Sequence, residues 1–391
     1  MDRNGCKGWF FGVFLLVFVL TSCSREEPRE MGTMDGVTEN GVTKIRLLPP
    51  KAENPRNSEG DFIQLKDGRI LFIYTHYYAG EGGDNDPAYL ASRFSSDAGR
   101  SWTREDVQVL ENEGGMNIMS VSLLRLASGE IALFYLRKNS TEDDRPIMRL
   151  SSDEARTWSE PFEIIPDEEI GYYVLNNDRV VQLPGGRLIA PVALHNAPEW
   201  EGSTPYGHAM CYLSDDSGRT WRRSQTVITT PKTAEGEPVH LQEPGVVELK
   251  DGRLMMFMRT SSGSQYLSYS GDQGENWSPP VPSQIRSPRS PASIERIPKT
   301  GDLLLVWNDN YEPDHRGAGV RTPLNAAISQ DDGQTWRNMK VLEDDPGGWY
   351  CYTAIEFVGD RVLLGYCAGQ QATNGLAVTQ ITWFEVDWLY E

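Results

Sequence analysis

Three segments of the 391-residue chain gather side chains able to move protons or hold an anion. Thr75 to Asp86 (THYYAGEGGDND) carries Glu81, Asp84 and Asp86, carboxyls that can serve as general acids or bases. His240 to Arg259 (HLQEPGVVELKDGRLMMFMR) sets Glu243 just before one apolar run and Arg259 at the end of the next. The third combines Arg321 with the later Gly348-Trp349-Tyr350. Arginine presents a planar fork that matches a carboxylate, so this mixture of acids and arginines suits proton-transfer chemistry on an anionic ligand. Each residue also has a structural use: Glu243 as an inter-strand acceptor, Arg259 and Arg321 as paired edge arginines, Asp84 as a turn former and Tyr350 as packing.

Residues so far apart need a scaffold, and two repeats describe it. The pattern Ser-x-Asp-x-Gly-x-Thr/Ser-Trp occurs, with small variations, at Ser95–Trp102, Ser151–Trp158, Ser214–Trp221, Ser270–Trp277 and Ser329–Trp336. Its aspartates Asp97, Asp153, Asp216, Asp272 and Asp331 lie 56 to 63 residues apart, the period of a four-stranded blade with its loops. In each copy the Asp accepts bonds from its own turn, Gly supplies the positive φ and Trp covers the turn. The second has Ala155 in place of Gly, which implies strain or a different turn. Aspartates occupied in this way mark the fold rather than the chemistry.

Between the boxes runs a hairpin phrase, in which a Gly-containing turn joins two apolar strands: LKDGRI from Leu65, LASGEI from Leu126, LPGGRL from Leu183, LKDGRL from Leu249, PKTGDLLL from Pro298 and VGDRVLL from Val358. Six hairpins and five boxes predict one all-β domain over residues 44–391, a six-bladed β-propeller. The unboxed last blade closes by pairing the C-terminal segment with a strand around Lys44 to Leu48. Propellers work at the mouth of the central channel, and the three segments fall on loops and strand ends that lead there. Asn177-Asp178-Arg179 and His195 flank the third hairpin and are candidates to line the same funnel.

The N-terminus reads as a secretory leader: Arg3 and Lys7, the apolar run Trp9 to Leu20, then Leu20-Thr21-Ser22-Cys23. The last four residues resemble a bacterial lipobox, which implies an exported lipoprotein anchored through Cys23 to a membrane and facing the periplasm or cell surface. Residues 24–43 are expected to form a polar tether. A formal charge of −19 without a basic stripe argues against nucleic-acid binding. Cys211, Cys351 and Cys367 are expected as buried free thiols, with a Cys351–Cys367 pair across the last hairpin left open. No Cys/His spacing points to zinc.

Residues 45 to 391 resemble the bacterial sialidase (neuraminidase) superfamily with Asp-box repeats. The phrase Glu243-Pro244-Gly245-Val246-Val247-Glu248-Leu249-Lys250-Asp251-Gly252-Arg253-Leu254 through to Arg259 is similar to the family segment holding a catalytic Glu and one of three carboxylate-gripping arginines. The resemblance implies that Arg321, eight residues before Ser329, is a second such arginine. It makes Asp84, eleven residues before Ser95, the acid/base, and Tyr350 the nucleophile, with Tyr352 one pleat step away. The implied activity is exo-acting, retaining hydrolysis of a terminal, acidic sugar from glycans by a monomer without metal or organic cofactor. A tyrosine deprotonated by Glu243 attacks without the standing charge that a substrate carboxylate would repel. Two features depart from the family pattern. Its Tyr/Phe-Arg-Ile-Pro motif for the first arginine is replaced by Asn54-Pro55-Arg56-Asn57-Ser58-Glu59, so Arg56 either serves from a shifted backbone or is paired by Glu59, leaving two arginines free. The basic residue after the first inner strand is replaced by Thr75-His76-Tyr77. These changes admit another terminal sugar, acidic or neutral, and a non-catalytic glycan-binding surface protein is a third possibility.

Overall fold

The structure, a computed structural model, describes residues 33–311 and 319–391. The apolar leader, Cys23 and the first part of the expected tether lie outside the described residues. Consecutive strands hydrogen-bond in antiparallel order. The first set is Arg56–Gln64, Ile70–Tyr77, Ala88–Ser95 and Val107–Leu110, and the second Asn117–Arg125, Ile131–Lys138, Asp144–Ser151 and Phe162–Glu163. In the third, Tyr172–Val174 and Val181–Gln182 both pair with Leu188–Asn196, followed by His208–Ser214 and Arg222–Arg223. One parallel pairing, Asp144 with Tyr172, merges the second and third sets into a single sheet. Two further sets run through Leu241–Glu248, Leu254–Thr260, Ser264–Ser270 and Val281–Arg286, then Ser293–Arg296, Leu303–Trp307, Leu324–Ser329 and Arg337–Glu343. The last set is Gly348–Val358, Arg361–Gln370 and Thr379–Glu385, with Val42–Leu48 as its outer neighbour through pairs such as Ile381 with Ile45. That is the expected pairing of the C-terminal segment with an early strand.

The apolar core lies between neighbouring sheets. Leu71 and Ile73 of the first set pack in one cluster with Ile131, Leu133 and Tyr135 of the second, and Met255 and Phe257 with Leu303 and Leu305. A strand covered on both faces needs an apolar run rather than an alternating one, and every residue of Ile70–Tyr77 is buried. Outermost strands such as Val107–Leu110 are largely exposed.

Each box folds as one unit. In the first, the Asp97 carboxylate accepts from Ser101 N at 2.9 Å and Ser101 Oγ at 2.7 Å, while Gly99 N donates to Ser95 Oγ at 2.8 Å. Trp102 Nε1 closes onto the Gly99 carbonyl. The second box keeps the Ser and Asp bonds, with Ala155 N on Ser151 Oγ at 2.9 Å, but Ala155 stands at φ +61, where the other four copies have glycine at φ +84 to +89. Of the two alternatives, the turn is conserved and carries strain.

The expected tether differs from what is described of it. Thr33–Asp35 pairs with Ser101–Thr103 beside the first box, and Val37–Glu39 forms a hairpin with Val42–Leu48. Asn40-Gly41 makes its two-residue turn, with φ of +49 and +80, the backbone that Asn-Gly favours.

Candidate active site

Four innermost strands share one irregularity, and it places the candidate residues. Register jumps from Ser58 to Asp61, from Met119 to Ser122, from Gln242 to Gly245 and from Cys351 to Ala354, each time setting two residues against one on the neighbouring strand. The first extra residue is left-handed in every case: Glu59 (φ +45), Ser120 (φ +60), Glu243 (φ +51) and Tyr352 (φ +57). Such bulges bend the strand and re-aim the side chain. Beside Glu243 the backbone also comes close to the next strand, since a Cβ on Gly245 would stand 2.3 Å from the Phe257 ring.

The last bulge separates the two tyrosines. In a regular strand, positions 350 and 352 would share a face. Instead Tyr350 enters the apolar cluster of the last set, edge-on to Tyr366 at 6.4 Å. Tyr352 turns the other way and its hydroxyl donates to Glu243 Oε1 at 3.2 Å. Of the two tyrosines the sequence left open, Tyr352 is the one whose hydroxyl meets Glu243, whereas Tyr350 packs inside the apolar cluster. Arg259, opposite Gln242 in register, donates from Nη1 to the same Glu243 oxygen. The Arg321 guanidinium lies 4.8 Å over the Trp349 ring and 5.4 Å over that of Tyr352. The site thus brings together Glu243, Arg259, Arg321 and Tyr352.

Charge in this group is lopsided. Burial pushes the Glu243 carboxyl up, but Arg259 and Arg321 outweigh it and hold the pKa below the usual carboxylate value. Burial, then the Glu243 charge, pushes the Tyr352 phenol well above its ordinary value, against the pull of Arg321 and Arg259. A neutral phenol is thereby paired with an ionised base. Glu243 Oε2, Gln242 Oε1, Arg259 Nε and Arg321 Nε are buried and have no partner among the described residues. Buried polar groups are normally satisfied, so this set of open donors and acceptors is chemically notable.

Asp84 sits on the rim with its side chain 65% exposed. Its loop is folded by Asp86, whose carboxylate takes Glu81 N and Gly83 N, and is tied down by Asn117 Nδ2 and by Lys138 Nζ at 3.0 Å, both on the Asp84 carbonyl. Lys138 is itself buried beside Asp144, 3.7 Å away, whose carboxyl burial pushes up to about 7 against the Lys138 charge. Arg56 Nη1 donates to Asp84 Oδ1 at 2.6 Å. Desolvation raises the Asp84 pKa, and Arg56 more than offsets this, so the carboxyl is held below its ordinary value. Arg56 also binds both Glu59 oxygens, at 2.8 and 3.0 Å, and is only 1% exposed. Of the two alternatives for Arg56, pairing with Glu59 is what the structure shows.

Asn177, Asp178 and Arg179 brace the channel instead of standing free. Asn177 Nδ2 bridges the carbonyls of Gly60 and Tyr352 at 2.9 and 3.0 Å, Asp178 Oδ2 accepts from Ile355 N, and Arg179 Nη2 reaches the Ala292 carbonyl. His195 is satisfied, with Nδ1 on the Thr204 carbonyl at 2.8 Å, and burial lowers its pKa. The three cysteines are buried and free, although Cys351 and Cys367 face each other in register. A cavity of about 300 Å³ farther along the channel is lined by Asp61, Asp178, Arg179, Glu295 and Glu356, and does not include Glu243, Arg259, Arg321 or Tyr352.

Sequence reasoning left Tyr352 undecided beside Tyr350 and missed Arg289. Tyr352 carried a usable signal: it stands six residues before Val358, as Glu243 stands six before Leu249 and Glu59 six before Leu65. Arg289 carried none, because it lies in the loop SPRSP between strands, outside every repeat. Its Nη1 meets Nδ1 of His240, three residues before Glu243, at 3.0 Å, and burial together with the Arg259 and Arg321 charges lowers its pKa.

Comparison with known proteins agrees with this architecture. Residues 114–375 match the BNR repeat-like domain, and the chain belongs to this family, within its bacterial sialidase-like members. A sialidase of Micromonospora viridifaciens is 27% identical over 332 residues, covering 76% of this chain and 46% of that protein. An anhydrosialidase of Macrobdella decora is 24% identical over 315 residues, 74% of this chain and 38% of its own. The chain thus spans less than half the length of these curated relatives. Among solved structures, a protein of unknown function from Dyadobacter fermentans superposes with a TM-score of 0.68 at 19% identity, over 89% of this chain and all of that one. A sialidase of Streptococcus pneumoniae gives 0.67 at 15% identity, over 88% and 70%. The fold is therefore all-β and of the sialidase, β-propeller type.

Proposed function

We propose that this protein is an exo-acting glycoside hydrolase of sialidase type, built on a six-bladed propeller with its five boxes on the outer rim. It releases a terminal acidic sugar with retention of configuration. The contact that carries this reading is the Tyr352 hydroxyl on ionised Glu243, flanked by Arg259 and Arg321. Glu243 takes the phenolic proton as the Tyr352 oxygen attacks the anomeric carbon, Arg259 and Arg321 hold the neighbouring carboxylate, and Asp84 protonates the leaving oxygen and then activates water. The kinship with the Micromonospora sialidase supports the reaction class. The leader and lipobox support export and lipid anchoring through Cys23, which mass spectrometry of the mature N-terminus would test.

One observation favours a second reading within the same class. Each nitrogen of Arg56 is engaged by the protein, so the pocket departs from a three-arginine grip that includes Arg56 and suits a terminal sugar other than sialic acid. Incubation with 4-methylumbelliferyl sialic acid and with terminal uronic and rhamnosyl glycosides separates the two. Turnover of a non-sialyl substrate alone keeps the mechanism and changes the sugar. Glycan binding without turnover of any substrate would make the protein a surface lectin.

A further inference from the structure

Arg56 is committed to the protein at every nitrogen. Nε binds Ser58 Oγ at 2.8 Å, Nη1 binds the Gly82 carbonyl at 3.2 Å and Asp84 at 2.6 Å, and Nη2 takes both oxygens of Glu59. All three nitrogens of the guanidinium are thus held by the protein. Arg289 is in the opposite condition. It is partly buried, Nη1 meets His240 Nδ1 at 3.0 Å, and Nε is buried without a partner. Among the described residues it makes no ion pair with a carboxylate, and nor does Arg321.

Arginine stays charged, so three guanidiniums repelling one another in a partly desolvated site need compensation from an anion. Beside the Lys138–Asp144 pair, Arg56, Arg259, Arg289 and Arg321 stand against Glu59, Asp84 and Glu243. Four positive charges meet three negative ones, and the missing charge is that of a single carboxylate.

We propose that Arg289, oriented by His240, is the third guanidinium that grips the carboxylate of the substrate, in the role that Arg56 has given up. This rests on the reading of the pocket as an acidic-sugar site and deepens it: the ligand is a monocarboxylate, held by Arg259, Arg289 and Arg321. His240 is a positioning residue. Its Nδ1 lone pair accepts from Arg289, so its proton is on Nε2, and the Tyr206 ring packs edge-on against the imidazole at 4.9 Å.

Titration calorimetry on the whole protein tests this with benzoate and pyruvate, and with 2-deoxy-2,3-didehydro-N-acetylneuraminic acid beside its methyl ester. Arg289→Met should weaken every free carboxylate by about 30-fold or more, since a charged hydrogen-bonding partner is lost, and leave the ester unchanged. Arg289→Lys should recover part of the loss, and Arg56→Met should keep the preference for acid over ester. His240→Phe should weaken the acids less than Arg289→Met does, and His240→Asn, which retains an acceptor, should restore them. Should Arg289→Met not fold, the Lys and His240 variants decide. Retention of full acid preference in a folded Arg289→Met, its loss in Arg56→Met alone, or no carboxylate binding by the wild type would each overturn the proposal. Arg289-dependent binding of benzoate and pyruvate without binding of the sugar acid would uphold the grip and remove the sialidase reading.

Discussion

The two tyrosines differ by one bulge, and their substitutions should differ accordingly. Tyr352→Phe removes the oxygen that meets Glu243, so kcat should fall by at least about a thousandfold while binding of a carboxylate inhibitor persists. Tyr350→Phe touches only the blade interior and should keep kcat within about twofold. Equal losses in steady-state assays would return the nucleophile to position 350. Asp84 carries a second consequence at this scale. Arg56 holds its pKa below the ordinary carboxylate value, so the protonated acid exists only at low pH. On alkyl glycosides kcat/KM should therefore fall as pH rises through that lowered pKa, whereas activated aryl glycosides, which need little protonation, should lose less. Removing the nearby cation in Arg56→Met should move the alkyl limb up by about one pH unit or more. A limb that stays in place would show that Asp84 is not the group titrating.

At the scale of the element, what the sequence showed was local. A box makes its hydrogen bonds within eight residues, so Asp97 and its four counterparts could be read directly, including the anomaly at Ala155. The bulges could not be read in the same way, because Glu243 and Tyr352 owe their left-handed φ to pairing with strands that follow in the chain. Hence the segments that form the site could be found, while the sequence alone did not decide which of Tyr350 and Tyr352 faces Glu243. Arg56 and its local partner Glu59 could be named together, but its second carboxylate, Asp84, comes from a loop 28 residues away. Ala155 offers a direct test of stored strain. Left-handed backbone costs a non-glycine residue roughly 1–2 kcal/mol, and glycine returns roughly 0.5–1 kcal/mol of that as unfolded-state entropy. Ala155→Gly should thus stabilise the protein by up to about 1 kcal/mol, measurable as a rise of a few degrees or less in Tm. A lower Tm would mean that the Ala155 methyl, packed against the neighbouring cluster, outweighs its strain.

At the scale of the whole molecule, the innermost strands are held to one another around the channel by polar side chains instead of an apolar plug. Asn177 ties the bulge of the first inner strand to the carbonyl of Tyr352 in the last, so Asn177→Ala should lower kcat through misplacement of Tyr352 with little change in the binding of a carboxylate inhibitor. Deeper in the channel, burial and then the Asp178 charge push the Glu356 carboxyl up to about 8, and the same two causes raise Asp61 and Glu295. The sign of the effect on stability follows from proton counting. These groups are protonated in the folded protein at pH values where the unfolded chain has released its protons, so folding takes protons up. Their contribution is complete below the ordinary carboxylate range and is lost as pH rises toward about 8, where Glu356 ionises. The box carboxyls act in reverse, with Asp153 and Asp331 lowered to about 2 by their turn hydrogen bonds, but their stabilisation is lost only in strong acid. The formal charge of −19 adds self-repulsion in the same direction as the channel. Thermal stability should therefore peak near pH 4 to 5 and decline toward pH 8. Glu356→Gln, which cannot ionise, should match the wild type at the peak and exceed it at pH 8. Wild-type melting temperatures that rise from pH 5 to pH 8, or a Glu356→Gln variant that loses as much stability as the wild type over that interval, would show that the channel carboxyls are ionised in the folded protein.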